Sequence, residues 1–114
     1  MPLIDLIGKA LNIRTAYNKV IAGNIANVDT PGFKEKEIDF KKQLDRQMTY
    51  SGSGTAEIEE APQDSLGFAT LDENTVNMET QVMKLTENSM YYDALVQALS
   101  KKFSLMRYII NGGK

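Results

Sequence analysis

A mainly α fold is predicted for this chain: two long N- and C-terminal helices packing as a coiled coil, with a short irregular or extended segment between them. Three observations predict it. Apolar residues recur at alternating steps of three and four near both ends, the three prolines lie outside those two stretches, and the residues in between switch to turn-forming and charged types. In the N-terminal stretch, Leu3, Leu6, Ala10, Ile13, Tyr17 and Val20 trace a heptad seam that continues into Asn24 and Asn27. Ile4, Ile7, Leu11 and Ile21 widen it. A helix from Leu3 to about Ala26 would run roughly 36 Å. Gly8 and Gly23 each cost it about 1 kcal/mol relative to alanine, which points to close packing or a weak helix end.

Proline and glycine in Thr30-Pro31-Gly32-Phe33 then fit a type II turn. In the charged run Lys34 to Phe40, Ile38 and Phe40 alternate like a strand, and Lys41 to Met48 suits a further helical turn or two. Ser51-Gly52-Ser53-Gly54-Thr55 has the composition of a flexible linker, and Glu57 to Pro62 is acidic and weakly extended. The C-terminal seam is stronger: Met78, Val82, Leu85, Ser89, Tyr92, Val96, Leu99, Phe103, Met106 and Ile110 alternate four and three without a slip. Asn74 or Thr75 is the expected N-cap, Glu79 suits the positive end of the helix dipole, and Asn111-Gly112-Gly113 supplies a stop. The expected organisation is one structural unit: a helix over 1–27, a turn with a short extended and helical segment over 28–48, a linker over 49–73 and a helix over 74–114. Two helices burying one seam make a weak monomer, and the C-terminal seam outruns the N-terminal one, so part of it should meet another chain.

Composition narrows the function. With 114 residues there is room for one small core. Thirteen basic against fifteen acidic side chains provide no broad positive field for nucleic acid or anionic lipid. The chain has no cysteine and no histidine, which removes the thiolate nucleophile, the usual general base near neutral pH and the commonest metal ligand. The N-terminus has neither a basic segment ahead of its apolar residues nor a small-residue cleavage site, so no secretory signal is expected there.

The remaining candidates for chemistry read as surface. Glu57, Glu59, Glu60, Asp64, Asp72 and Glu73 have no scaffold to push their pKa values apart, so they suit a solvated loop better than an acid–base pair. Gly52, Gly54 and Gly67 lack the preceding strand and following Gly-Lys-Ser/Thr of a phosphate loop. Glu35, Glu37 and Asp39 interleave with Lys34, Lys36, Lys41 and Lys42 and cancel their field. Met78, Met83, Met90 and Met106 suit seam packing. No catalytic, cofactor-binding or metal-binding residue is expected. Asn24 and Asn27 stand out as amides at seam positions. They either satisfy backbone groups at the helix end, with Asn27 a candidate for the left-handed conformation, or fix register against a partner helix.

The string Asn24-Ile25-Ala26-Asn27-Val28-Asp29-Thr30-Pro31-Gly32-Phe33-Lys34 closely resembles the N-terminal signature of the bacterial flagellar rod and hook family. Ile38-Asp39-Phe40, Asp72 to Glu79 and Tyr91-Tyr92-Asp93-Ala94-Leu95 extend the resemblance, most closely to proximal rod members, over about two thirds of the chain. It implies a structural subunit and no enzyme. Such subunits leave the cell through the flagellar type III apparatus without a cleaved signal, stack helically into the drive shaft of the basal body in the periplasm, and order their terminal helices on assembly. The implied partners are other rod proteins, copies of the same chain, the rod adaptor FliE and the export gate. Leu3, Leu6, Ile13, Tyr17, Val20, Val82, Leu85, Tyr92, Val96, Leu99, Phe103, Met106 and Ile110 are then the expected assembly and packing residues, with Asn24, Asn27 and the Thr30 to Phe33 turn guiding the chain between segments. A cytoplasmic coiled-coil adaptor or export chaperone accounts for the heptads equally well but gives no reason for the Asn24 to Lys34 string.

Overall fold

Residues 2–49, 58–62 and 76–112 are described by the computed structural model. Helix α1 spans Pro2–Ala26, strand β1 Lys36–Glu37, helix α2 Phe40–Thr49, strand β2 Ala61–Pro62 and helix α3 Met78–Ile110. The long terminal helices pack against each other, and strand is minimal, as the heptad seams imply. The glycine-serine run at Ser51 to Thr55 lies outside the described residues.

Helix α1 ends because its last turn is met by side chains. Asn27 Nδ2 donates to the Gly23 carbonyl at 2.8 Å, and Asn27 Oδ1 accepts from the Thr30 hydroxyl at 3.1 Å. Among the described residues only Gly32 and Gly112 have positive φ, so Asn27 is not left-handed. The side-chain contacts satisfy the helix end without that conformation. Phe33 N then donates to the Thr30 carbonyl at 3.2 Å, and Gly32 has φ +75°, the geometry of a type II turn.

Beyond the turn, Lys36 pairs antiparallel with Pro62, and Glu37 with Ala61. The strand expected to run on through Phe40 stops at Glu37. Asp39 caps a helix instead: its Oδ1 accepts from Lys42 N at 3.2 Å, and its carbonyl accepts from Gln43 N at 3.0 Å. Helix α2 accordingly has ten residues, longer than the turn or two the sequence suggests. Ile58, in the stretch read as an acidic loop, packs with Ala16, Tyr17, Phe40 and Leu44 around the buried Ile13, Val20 and Ile38. Glu59 lies 3.2 Å from Arg46 and Glu60 3.0 Å from Lys36, so these carboxylates brace the segment.

Helix α3 starts later than the sequence suggests. Asn77 is the cap, and its side chain accepts from Thr80 N at 3.2 Å; the expected caps Asn74 and Thr75 lie outside the described residues. It ends where Asn111 N donates to Arg107 O at 3.0 Å and Gly112, at φ +68°, donates to Ile109 O at 3.1 Å. Asn24 of α1 meets Gln81, and Arg14 meets Asn88, so the two helices run antiparallel. Continuing that register at about 1.5 Å per residue puts Leu3 level with roughly residue 99, and the last turns of α3 extend past α1. The radius of gyration is 17.5 Å, against about 13 Å for a compact chain of this length, and the longest extent is 61 Å. No described helix is long and apolar enough to cross a membrane.

Candidate functional site

The chain presents two faces of interest: the polar joint that clasps its segments together, and the outer surface of α3. The joint begins with Asn24, which is fully buried. Its Nδ2 donates to Lys36 O and to Gln81 Oε1, both at 2.9 Å, while its Oδ1 accepts from Lys36 N at 2.9 Å. One amide thus completes the backbone of β1 and ties α1 to α3. Glu35, also buried, accepts from Asn77 N at 2.6 Å, which places a carboxylate at the positive end of α3. Glu37 Oε1 accepts from Ile38 N at 3.1 Å, and its Oε2 receives Lys84 Nζ at 2.7 Å. Residues 35–37 are therefore a strap across the ends of both long helices.

A second cluster lies about three turns further along α1. The Arg14 guanidinium lies 3.7 Å from the centroid of the Phe40 ring and 4.3 Å from that of Tyr91, sandwiched between aromatic faces. Asn88 Nδ2 donates to Arg14 O at 2.9 Å, and its Oδ1 accepts from the guanidinium at 3.3 Å. Burial pulls the Arg14 pKa down, opposed by Tyr91, Tyr17 and Glu87. Tyr17 packs edge-on against Phe40 with ring centroids 5.3 Å apart. Burial first, then its hydrogen bond and charge interaction with Glu37, raise the Tyr17 hydroxyl well above its ordinary range and keep it neutral. These contacts orient helices. Among the described residues no group of acidic side chains is placed to hold a metal.

The residues singled out in the sequence fall into different environments. Ile13, Val20 and Asn24 are buried, Leu6, Tyr17 and Asn27 are half-buried, and Leu3 is exposed. In the turn, Thr30, Pro31 and Gly32 are exposed and Phe33 is half-buried. On α3 the single seam divides. Leu85, Leu99 and Met106 are half-buried, whereas Val82, Tyr92, Val96, Phe103 and Ile110 are exposed, at 48%, 39%, 38%, 46% and 78%. The row turned toward α1 lies one residue earlier: Gln81 and Asn88 are buried, and Leu95 and Lys102 half-buried. Reading apolar residues alone missed Gln81, Asn88 and Arg14. The signal that marks the first two is their step of seven, which runs on to Leu95 and Lys102 beside the apolar row.

Comparison with known proteins places the sequence in a family. The family described as Flagella basal body rod protein matches residues 9–34, the stretch that carries Arg14, Asn24 and the turn. The flagellar basal body rod protein FlgB of Escherichia coli K12 is 30% identical over 124 residues, covering 92% of this chain and 90% of that protein. FlgB of Cereibacter sphaeroides is 31% identical over 91% of the chain and 90% of its own length. FlgB of Bacillus subtilis 168 is 28% identical over 97% and 95%. With identities of 30% and 31% over more than nine tenths of its length, the chain belongs to the FlgB family of flagellar basal body rod proteins.

Proposed function

We propose that the chain is a structural subunit of the proximal rod, the part of the flagellar drive shaft nearest the cell, exported through the flagellar type III apparatus and completed in its fold by its neighbours. Membership of the FlgB family supports the rod assignment. The observation that carries the mechanism is the incompletely covered apolar row of α3: Val82, Val96, Phe103 and Ile110 stay exposed in the single chain. Such a row, unburied by its own chain, is suited to assembly. The clasp at residues 24, 35–37 and 81 holds the hairpin together at one end while that row stays open to neighbours. Packing and not chemistry is then the work of the named residues: Leu3, Leu6, Ile13, Tyr17 and Val20 on α1, and Val82, Leu85, Tyr92, Val96, Leu99, Phe103, Met106 and Ile110 on α3. Asn24, Asn27 and Thr30 to Phe33 set the path between the inner helix and the segment that follows. The partners are other rod proteins, copies of this chain, the adaptor FliE and the export gate, and the working location is the periplasmic rod of the basal body.

Mass spectrometry of basal bodies purified in detergent from the native strain tests this reading. The expected result is the chain in a fixed ratio to other rod proteins; its absence from them overturns the assignment. For the seam, Leu99→Asp or Val96→Asp should abolish motility while the protein is still made and soluble. Normal swimming in both variants would remove the seam from the mechanism.

A further inference from the structure

The sequence contains one Asn-Gly pair, Asn111-Gly112, and the structure places it where α3 stops. Asn111 is the C-cap, with φ -83° and ψ 10°, and Gly112 follows at φ +68°. Both residues are exposed, and no atom lies within 4 Å of the position that a Cβ on Gly112 would take. The backbone fastening here is local: Asn111 N donates to Arg107 O at 3.0 Å, and Gly112 N donates to Ile109 O at 3.1 Å. Ile109 and Ile110, the last two helical residues, are exposed as well, so little covers this turn.

We propose that Asn111 is a site of spontaneous covalent modification, at which the chain's own backbone converts the side-chain amide to a carboxylate. Gly112 N, on losing its proton, attacks Asn111 Cγ; the new N–Cγ bond closes a five-membered imide, the Cγ–Nδ2 bond breaks, and Nδ2 leaves as ammonia. Water, the only co-reactant, then opens the ring at either carbonyl. Opening at Cγ gives aspartate, and opening at the main-chain carbonyl gives isoaspartate. The cap controls the first step. At ψ 10° Gly112 N lies beside the backbone nitrogen of Asn111 and not over its Cβ, and its N–H is held by Ile109 O, so the capped turn is the resting form. Opening that single turn releases both restraints, and an exposed helix end opens at little cost. Glycine then admits the attack, because it has no Cβ to crowd Cγ and accepts the rotations that ring closure needs. The other described asparagines lack this combination. Asn12 and Asn18 are exposed but lie inside the 25-residue helix α1 and precede Ile13 and Lys19, while Asn24 and Asn88 are buried with their amides bonded. Conversion also unfastens the turn: the new carboxylate sits at the negative pole of α3, and isoaspartate lengthens the main chain by one methylene, so the spacing from Ile109 O to Gly112 N no longer fits the cap.

The experiment incubates the full-length chain in buffer made with heavy-oxygen water, then digests it in ordinary water and follows the peptide 108–114 by mass spectrometry, with fragmentation that separates aspartate from isoaspartate. Exchange of ammonia for water adds about 1 Da, or about 3 Da when the incorporated oxygen is the heavy isotope. Both products are expected at position 111. Their rate of appearance should exceed conversion of Asn12 or Asn18 in the same sample by about tenfold or more, and should rise with pH, because the attacking nitrogen must lose its proton. A rate at Asn111 no higher than at Asn12 and Asn18 overturns the proposal, and so does aspartate without isoaspartate, which is the mark of direct hydrolysis. Gly112→Ala should slow the conversion by about tenfold or more, since its Cβ crowds the attack. That substitution strains φ +68° and loosens the cap, so a slower reaction cannot come from a tighter turn; an unchanged rate overturns the role of Gly112 N. None of these measurements uses basal bodies or motility, so failure here leaves the rod assignment standing, and failure of that assignment leaves this result intact.

Discussion

Asn24 makes three hydrogen bonds from one buried amide, two to the backbone of Lys36 and one to Gln81. The division decides what its substitution costs. Asn24→Ala strands the N–H and C=O of a half-buried residue, at about 1–3 kcal/mol for each unpaired group, so a loss of about 2–6 kcal/mol is expected in urea unfolding. Gln81→Leu removes only the side-chain bond, leaves Asn24 paired with Lys36, and deletes a buried Nε2 that has no partner among the described residues. Its expected cost is within about 1 kcal/mol. Equal losses for the two variants would mean the helix-to-helix bond, not the backbone pairing, is the work of Asn24. From the sequence this amide is expected either to satisfy backbone groups at the helix end or to fix register against a partner helix; its bonds here run to the backbone of β1 and to Gln81 of α3. Spacing marked the position, but spacing could not name Lys36 or Gln81, because those partners are twelve and fifty-seven residues away.

The elements differ in how far local chemistry fixes them. The turn after α1 is set by its own residues, since only glycine holds φ +75° without strain and proline fixes φ at the position before it. No atom lies within 4 Å of where a Cβ on Gly32 would sit, so Gly32→Ala tests the backbone alone. It should lower stability by about 1–2 kcal/mol in the same unfolding assay, with Gly32→Asn losing less, because asparagine tolerates the left-handed region better. Identical stability of all three would show that the turn adopts another shape at no cost. The long helices were likewise legible from their periods. Their ends are less so: the cap of α3 is Asn77, whose N also donates to Glu35 from forty-two residues away, a contact no local window contains. Ile38 and Phe40 imitate a strand in the sequence, while the Asp39 cap between them sets the start of α2. On α3, apolar periodicity located the seam, but which of its edges faces α1 depends on Arg14 lying between Phe40 and Tyr91 and holding Asn88. That choice follows from tertiary packing, and no window of local sequence contains it.

At the scale of the whole molecule, stability is concentrated at one end. Near residues 24, 35–37 and 81–84 the helices are joined by hydrogen bonds, a half-buried ion pair and the Ile13, Val20 and Ile38 core further along α1. Toward the other end, Leu3 is exposed and α3 continues alone through Phe103, Tyr108 and Ile110. A helical stretch shorter than about 12–15 residues is marginal in water without tertiary contacts, so these last turns depend on what lies beside them. Amide exchange in the dilute monomer should therefore grade along α3, with amides of Leu85 to Asn88 protected at least tenfold more than those of Leu105 to Ile109. Raising the concentration, or adding chains that associate, should protect the outer turns first, because they are the ones left without a neighbour. Uniform protection along α3 at low concentration would mean that the helix holds itself together without help. The exposed apolar end would then be a rigid, preformed surface, and assembly would proceed by docking of finished parts instead of by ordering on contact.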